Sequence, residues 1–172
     1  MTLPGGFDPL AALEEMVRRG VRFVVIGGVA GRLHGSPSLT RDLDICHQRT
    51  PDNLVALSEM LNAAHARLRG VDEEAPFLLD ARTLLAGGSF TFVTDHGDLD
   101  LLAVPAGVNG FADLDAHAQQ IDLGGFVVKV ASLDDLILMK RAAGRAKDLI
   151  ELEVLEALRD EVSDGLLPTD EI

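Results

Sequence analysis

The sequence predicts a single α/β domain, and three observations support this fold class. Short apolar runs bounded by turn residues alternate with longer segments in which apolar residues recur at helical spacing. The chain has 172 residues, of which 47% are hydrophobic. That length is enough for one well-buried core and too short for two, and no repeat or linker divides it. We therefore expect one domain over 1–172, with a core over about 8–130 and C-terminal helices over about 132–162.

Composition narrows the possible partners. The chain carries 28 acidic and 15 basic residues, a formal net charge of −13, which disfavours broad nucleic-acid binding because that needs a basic face. A cationic small molecule or a basic protein surface would be attracted better. Cys46 is the single cysteine, so an internal disulfide is impossible. With neither a signal-like start nor a membrane-length apolar stretch, we expect a cytoplasmic protein without membrane contact.

The first elements are a helix and a strand. Asp8-Pro9 suits the N-cap and first position of a helix that runs to Arg19 and stops at Gly20. Its expected apolar stripe consists of Leu10, Leu13, Met16 and Val17. The run from Phe23 to Ile26 is then rich in β-branched residues, as is typical of a buried strand.

A glycine turn and a pair of acids follow that strand. Gly27-Gly28 gives a tight turn, 29–34 fits a short helix, and Gly35 fits its end. The chain re-extends over 40–45, where alternation places Thr40, Asp42 and Asp44 on one face. Two carboxylates this close repel each other unless a cation neutralises them, and hard divalent ions such as Mg²⁺ prefer such ligands.

The middle of the chain predicts a helix, a loop and a hairpin. The helix spans 54–66 with Leu54, Leu57 and Leu61 inward, and the charged segment 67–76 suggests a surface loop. Strands over 89–94 and 98–102 would form a hairpin around 95–97. Asp98 and Asp100 share one face of its second strand. Asp113 and Asp115 repeat the Asp-Leu-Asp letters, but in a helix they point to nearly opposite sides and predict no metal site.

The last third predicts a hairpin over 121–130 around Gly124-Gly125 and then two helices. Ser132 opens the first of these helices as a capping residue, with Asp135 three positions on. This helix carries Lys140 and ends near Gly144. The second helix spans 146–162, with a tail expected to fray. Its expected inward stripe consists of Leu149, Leu152, Leu155 and Leu158.

Together these motifs resemble the nucleotidyltransferase superfamily related to DNA polymerase β. The Gly-Gly turn, the helix ending in His-Gly and the Thr-x-Asp-x-Asp strand are similar to small bacterial members, which include AbiEii-like toxins and the aminoglycoside and lincosamide nucleotidyltransferases. The segment from Ser132 to Leu149 looks like the C-terminal motif, with Lys140, Arg145 and Asp148 at matching positions. The resemblance implies a mixed, mostly antiparallel sheet flanked by helices.

The resemblance also implies an activity and a site. It implies transfer of NMP from an NTP to a hydroxyl acceptor by two Mg²⁺ or Mn²⁺ ions. Asp42, Asp44 and Asp100 would be the metal ligands and catalytic acids, with Asp98 the alternative third acid. The expected nucleotide-binding residues are Gly27, Gly28, Thr40 and Lys140. Arg145 and Asp148 are better explained as an ion pair or helix cap.

Two departures from the family pattern leave alternatives open. Val29 stands where many relatives have a phosphate-binding Ser, and Ser38 stands where an Arg is common. An inactive nucleotide-binding homologue is therefore one alternative. Independently of these departures, the resemblance to AbiEii-like toxins leaves a second alternative, a component of a toxin–antitoxin system that modifies tRNA or a partner protein. The acceptor and the identity of the NTP cannot be deduced from the sequence.

Overall fold

A computed structural model describes residues 6–72 and 76–165. In this part of the chain, helices pack around one sheet. The helices are α1 (Pro9–Arg18), α2 (Gly27–Leu33), α3 (Pro51–Ala63), α4 (Ala81–Ala86), α5 (Phe111–His117), α6 (Leu133–Ala143) and α7 (Ala146–Ser163). The strands are β1 (Phe23–Ile26), β2 (Asp42–His47), β3 (Arg67–Leu68), β4 (Ser89–Thr94), β5 (Gly97–Leu102), β6 (Gln119–Asp122) and β7 (Val127–Val130).

The seven strands form one mixed sheet in the order β3-β4-β5-β2-β1-β7-β6. β1 pairs with β7, and β2 with β5, in parallel. The other neighbours are antiparallel, including the two predicted hairpins β4–β5 and β6–β7. This confirms the predicted α/β class with a mostly antiparallel sheet, flanking helices and helices at the C-terminal end.

The strands alternate between a core face and a second face. Leu43 and Ile45 of β2 are buried with Leu99 and Leu101 of β5, and α3 adds Leu54, Leu57 and Leu61. Their carboxylate neighbours therefore lie on the opposite face. Burial of this apolar set stabilises the register that places the acids, since slipping a strand by one residue would exchange its two faces.

Two leucines that are predicted to face the core, Leu10 and Leu149, are exposed. Leu10 is 52% exposed, because Ala12, Leu13 and Met16 provide the buried face of α1. Leu149 in α7 is also exposed, whereas Leu155 is fully buried. In each helix the other three predicted positions do contact the core: Leu13, Met16 and Val17 in α1, and Leu152, Leu155 and Leu158 in α7. Only the first leucine of each stripe is wrong, because the neighbouring elements, rather than the spacing alone, decide how far the buried face extends.

Several element boundaries also differ from the prediction. α2 begins at Gly27 itself, and Thr40 precedes β2 instead of belonging to it. The predicted loop over 67–76 begins with the short edge strand β3, and α4, which Asp80 caps, is absent from the elements predicted from the sequence. Residues 73–75 of that loop and most of the predicted frayed tail lie outside the described residues. Among the described helices, none has the length and apolar character needed to cross a membrane.

Candidate active site

Strand register brings three acids together on the face opposite the apolar core. β2 and β5 are parallel neighbours, with Asp42 opposite Asp98 and Asp44 opposite Asp100. Because alternate residues share a face, all four carboxylates belong to one side of the sheet. Asp42, Asp44 and Asp100 each present a carboxylate oxygen within 4.8 Å of the others, so the three could hold one metal ion. The cluster joins residues more than fifty positions apart in the sequence.

The glycine turn lies directly against these acids. Gly27 has φ of +66°, and a Cβ at this position would overlap Oδ2 of Asp44. A Cβ on Gly28 would lie 2.7 Å from Oγ1 of Thr40. Both glycines are therefore required by the close approach of the turn to the acid strand, and Gly27 also by its left-handed backbone.

Thr40 supports the acid strand from just outside it. Its hydroxyl can donate to the carbonyl oxygen of Asp42 at 3.1 Å or to Oδ1 of Asp42 at 3.2 Å. Thr40 therefore orients Asp42 even though it is not a strand residue. The sequence prediction located Thr40 at the site but gave the wrong local structure for it.

The acid cluster is electrostatically unfavourable without a cation. Burial, followed by repulsion from Asp42 and Asp100, raises the pKa of Asp44 to about 7, against the opposing charges of Lys140 and Arg145. Burial also raises the pKa of Asp100, although the Arg69 guanidinium counteracts it. Carboxylates held this way gain strongly from a bound divalent ion.

The C-terminal helices bring cations to the same region. Asp148 is buried and accepts hydrogen bonds from Arg145 Nε at 2.7 Å and Lys140 Nζ at 3.3 Å. Burial alone would raise the Asp148 pKa, but these hydrogen bonds outweigh it and hold the pKa below its ordinary value. Lys140 also pairs with Glu151 at 2.6 Å. Lys140 thus joins α6 to α7, and Arg145 with Asp148 forms the expected ion pair and cap.

These groups line an open cleft of about 490 Å³. The cleft contains all of the proposed site residues except Gly27. Its lining also includes Arg41 and Lys147, which the sequence interpretation did not select. Both side chains are exposed, and within 6–72 and 76–165 neither has an ion-pair partner. Lys147 stands next to Asp148 inside the C-terminal motif of residues 132–149, so the motif could have indicated it.

The remaining candidates lie away from this cluster or have other partners. Oδ2 of Asp98 accepts a hydrogen bond from Arg69 at 2.8 Å. Asp113 accepts from the backbone N–H of Asn109, and Asp115 pairs with Lys129, so the helical Asp-Leu-Asp contributes nothing to the cleft. The structure thus separates the strand copy of the motif from the helical copy.

Comparison with solved structures identifies the architecture. The chain superposes on the lincosamide antibiotic adenylyltransferase LnuA, solved with lincomycin, with a TM-score of 0.60 and 14% identity, over 87% of this chain and 95% of LnuA. The chain has a nucleotidyltransferase fold. It also superposes on the antibiotic-resistance factor ANT(2'')-Ia with a TM-score of 0.53 and 13% identity, over 90% of this chain and 89% of that one. No protein-family model and no curated protein matches the sequence.

The raised pKa of Asp44 predicts a specific pH dependence of stability. In the folded, metal-free protein the pKa of Asp44 is about 7, against its ordinary value of 3.8. The folded state therefore binds more protons between these values, and Asp44 lowers the free energy of unfolding as pH rises through that window. Asp44→Asn removes this cost. With chelator present, we expect the variant's Tm to exceed that of wild type by several degrees at pH 8.

The difference in Tm between wild type and Asp44→Asn reports on the ionisation of Asp44. Titrating groups that do not interact with Asp44, such as the buried His47, affect both proteins equally. The difference in Tm should therefore shrink as pH falls towards 4. A difference that is constant with pH would show that Asp44 is ionised without penalty.

Proposed function

We propose that this protein is a metal-dependent nucleotidyltransferase that moves NMP from an NTP to a hydroxyl group. The observation that carries the proposal is the convergence of Asp42, Asp44 and Asp100 in an open cleft that also contains cations. Anionic oxygens bind the ion and cationic side chains bind phosphate, so one cleft offers both kinds of contact. The fold shared with LnuA supports the proposal, because that protein is an adenylyltransferase.

The donor set fits Mg²⁺ or Mn²⁺. All three ligands are carboxylate oxygens, which hard divalent ions prefer. Burial and repulsion between the acids raise the pKa values of Asp44 and Asp100, and a bound cation would oppose both effects, which supports the assignment. In the proposed arrangement Asp42 and Asp44 would hold two ions, and Asp100 would complete one of these sites. Ions bound there supply Lewis-acid stabilisation of charge on the transferred phosphoryl group.

The residues of the chain then position and deprotonate the acceptor. The acceptor O–H bond breaks and its proton passes to Asp100. A bond forms between that oxygen and the α-phosphorus, while the bond to pyrophosphate breaks. Thr40 keeps Asp42 in place through its hydroxyl. Gly27 and Gly28 allow the backbone of the β1–α2 turn to approach the acids and the phosphates closely.

The triphosphate has two kinds of cationic partner. Lys140 faces the cleft but is already neutralised by Asp148 and Glu151. We assign the more direct phosphate contact to Arg41 and Lys147, whose charges have no ion-pair partner in the described parts of the chain. Lys140 then contributes to the field at Asp44 and to the junction between α6 and α7.

For the acceptor we propose a small hydroxyl-bearing molecule. The net charge of −13 favours a cationic acceptor and disfavours RNA. The similar fold of LnuA, which was solved with lincomycin, is consistent with an acceptor of this size. A toxin–antitoxin component that modifies tRNA or a partner protein is the second hypothesis, and a silent nucleotide-binding homologue is the third.

Substitution of the acids provides the direct test of activity. Wild type with Mg²⁺ and the correct NTP should release pyrophosphate when an acceptor is supplied. Asp42→Asn and Asp44→Asn should each lower the rate at least about a hundredfold, since ion-mediated charge stabilisation is worth several kcal/mol. Asp113→Asn is the matched control, because it changes the same motif on a helix outside the cleft, and it should retain activity.

Two outcomes would contradict the proposed function. Full activity in both acid variants would remove the assigned site. A rise in Tm with nucleotide and Mg²⁺, but without pyrophosphate release across NTPs and acceptors, would favour the silent homologue.

A separate set of variants tests whether Arg41 and Lys147 bind phosphate while Lys140 mainly stabilises the fold. Lys147→Gln and Arg41→Gln should each raise KM for NTP about tenfold, the loss of roughly one charge-assisted hydrogen bond, with little change in Tm. Lys140→Gln should instead lower Tm, because it leaves the buried Asp148 with one donor fewer. Arg159→Gln near the far end of α7 is the control for charge. If Lys140→Gln raised KM most and left Tm unchanged, the assignment would be reversed.

A further inference from the structure

Arg69 links the edge of the sheet to the acid cluster. It follows β3, and its backbone N–H donates to the carbonyl oxygen of Thr91 in β4 at 2.9 Å. Thr91 in turn lies opposite Asp100 in the β4–β5 register. Arg69 therefore occupies the same cross-strand row as Asp100, and its side chain extends over β4 to the acids.

The guanidinium bridges two carboxylates of β5. Nη1 donates to Oδ2 of Asp98 at 2.8 Å, and Nη2 donates to Oδ1 of Asp100. In the described parts of the chain, Arg69 is the only cationic side chain hydrogen-bonded to any of the four acids of β2 and β5. The Asp100 side chain is 18% exposed, so the contact lies at the edge of the cleft rather than in open solvent.

We propose that Arg69 is the positioning residue for Asp100, which is the third acid of the proposed function. One nitrogen of the planar guanidinium engages a single oxygen of Asp100 and leaves the other oxygen for a cation. The other nitrogen is anchored on Asp98, which prevents the arginine from moving into the cluster. Asp98 shares the face of Asp100 but is not one of the three converging acids, and in this proposal its role is to anchor Arg69.

Two explanations of Arg69 predict opposite effects of its removal on the affinity for a divalent ion. A positive charge beside the acids repels a divalent ion, so removal of Arg69 should strengthen ion binding if charge alone mattered. If Arg69 orients Asp100, its removal should weaken ion binding, because an unrestrained carboxylate must be ordered when the ion binds. The sign of the change therefore separates positioning from competition.

The experiment measures Mn²⁺ binding to the full chain by the EPR signal of free Mn²⁺, without nucleotide. Arg69→Gln should weaken Mn²⁺ binding by about 10- to 100-fold, the usual effect of losing a partner that orients a ligand. Arg69→Lys keeps the charge but cannot bridge both acids in the same way, so it should weaken binding to a smaller degree. Arg67→Gln, two positions earlier on β3, removes an equal charge and should not weaken binding. Asp100→Asn gives the reference for loss of the third ligand.

In an active preparation, Arg69→Gln should lower kcat for pyrophosphate release and leave KM for NTP unchanged. Unchanged or tighter Mn²⁺ binding by Arg69→Gln would overturn the proposal, and so would full wild-type binding by Arg69→Lys. Arg69→Lys alone decides the question if Arg69→Gln does not fold. If wild type releases no pyrophosphate with any NTP, the proposed function fails, but the Mn²⁺ comparison still decides the role of Arg69.

Discussion

Mutual repulsion among Asp42, Asp44 and Asp100 is the constraint on which the site depends. Three carboxylates offer oxygens within 4.8 Å of one another, and the pKa of Asp44 rises to about 7 as a result of burial and these neighbours. Such a cluster does not form by attraction between its members. It exists because hydrogen-bonded strands and an apolar core hold the three carboxylates close together. The free energy of folding therefore offsets the repulsion between them, and a bound cation would relieve that repulsion.

Several structural elements hold the acids in place, and each makes an identifiable contact. Parallel pairing of β2 with β5 sets Asp44 beside Asp100, and burial of Leu43, Ile45, Leu99 and Leu101 on the other face prevents a shift in register. The side-chain-free turn at Gly27 and Gly28 lets β1 and α2 approach the acids. From the far side, α6 and α7 close the cleft through the buried Asp148, which binds Lys140 and Arg145. Each of these contacts restricts the conformation of the chain and thereby fixes the positions of the charged groups.

Local patterns in the sequence predicted the parts of this arrangement that depend on local geometry. Two-residue alternation identified the shared face of Asp42 and Asp44, and separated them from the helical Asp113 and Asp115. Cap residues located α1 and α6. Long-range pairing has no comparable signal in the sequence, so the charged segment 67–76 predicts a surface loop, although Arg69 reaches Asp98 and Asp100. For the same reason the sequence could not show that Lys140 is neutralised by Asp148 and Glu151, or that Leu10 and Leu149 are exposed at the starts of their stripes.

The position of the ion is the most direct test of this account. Crystals soaked in Mn²⁺ would be measured at a wavelength where manganese scatters anomalously. We expect an anomalous peak bound by carboxylate oxygens of Asp42, Asp44 and Asp100, with Arg69 still hydrogen-bonded to Asp100. A peak elsewhere in the chain, or a cluster that stays empty at saturating Mn²⁺, would contradict it.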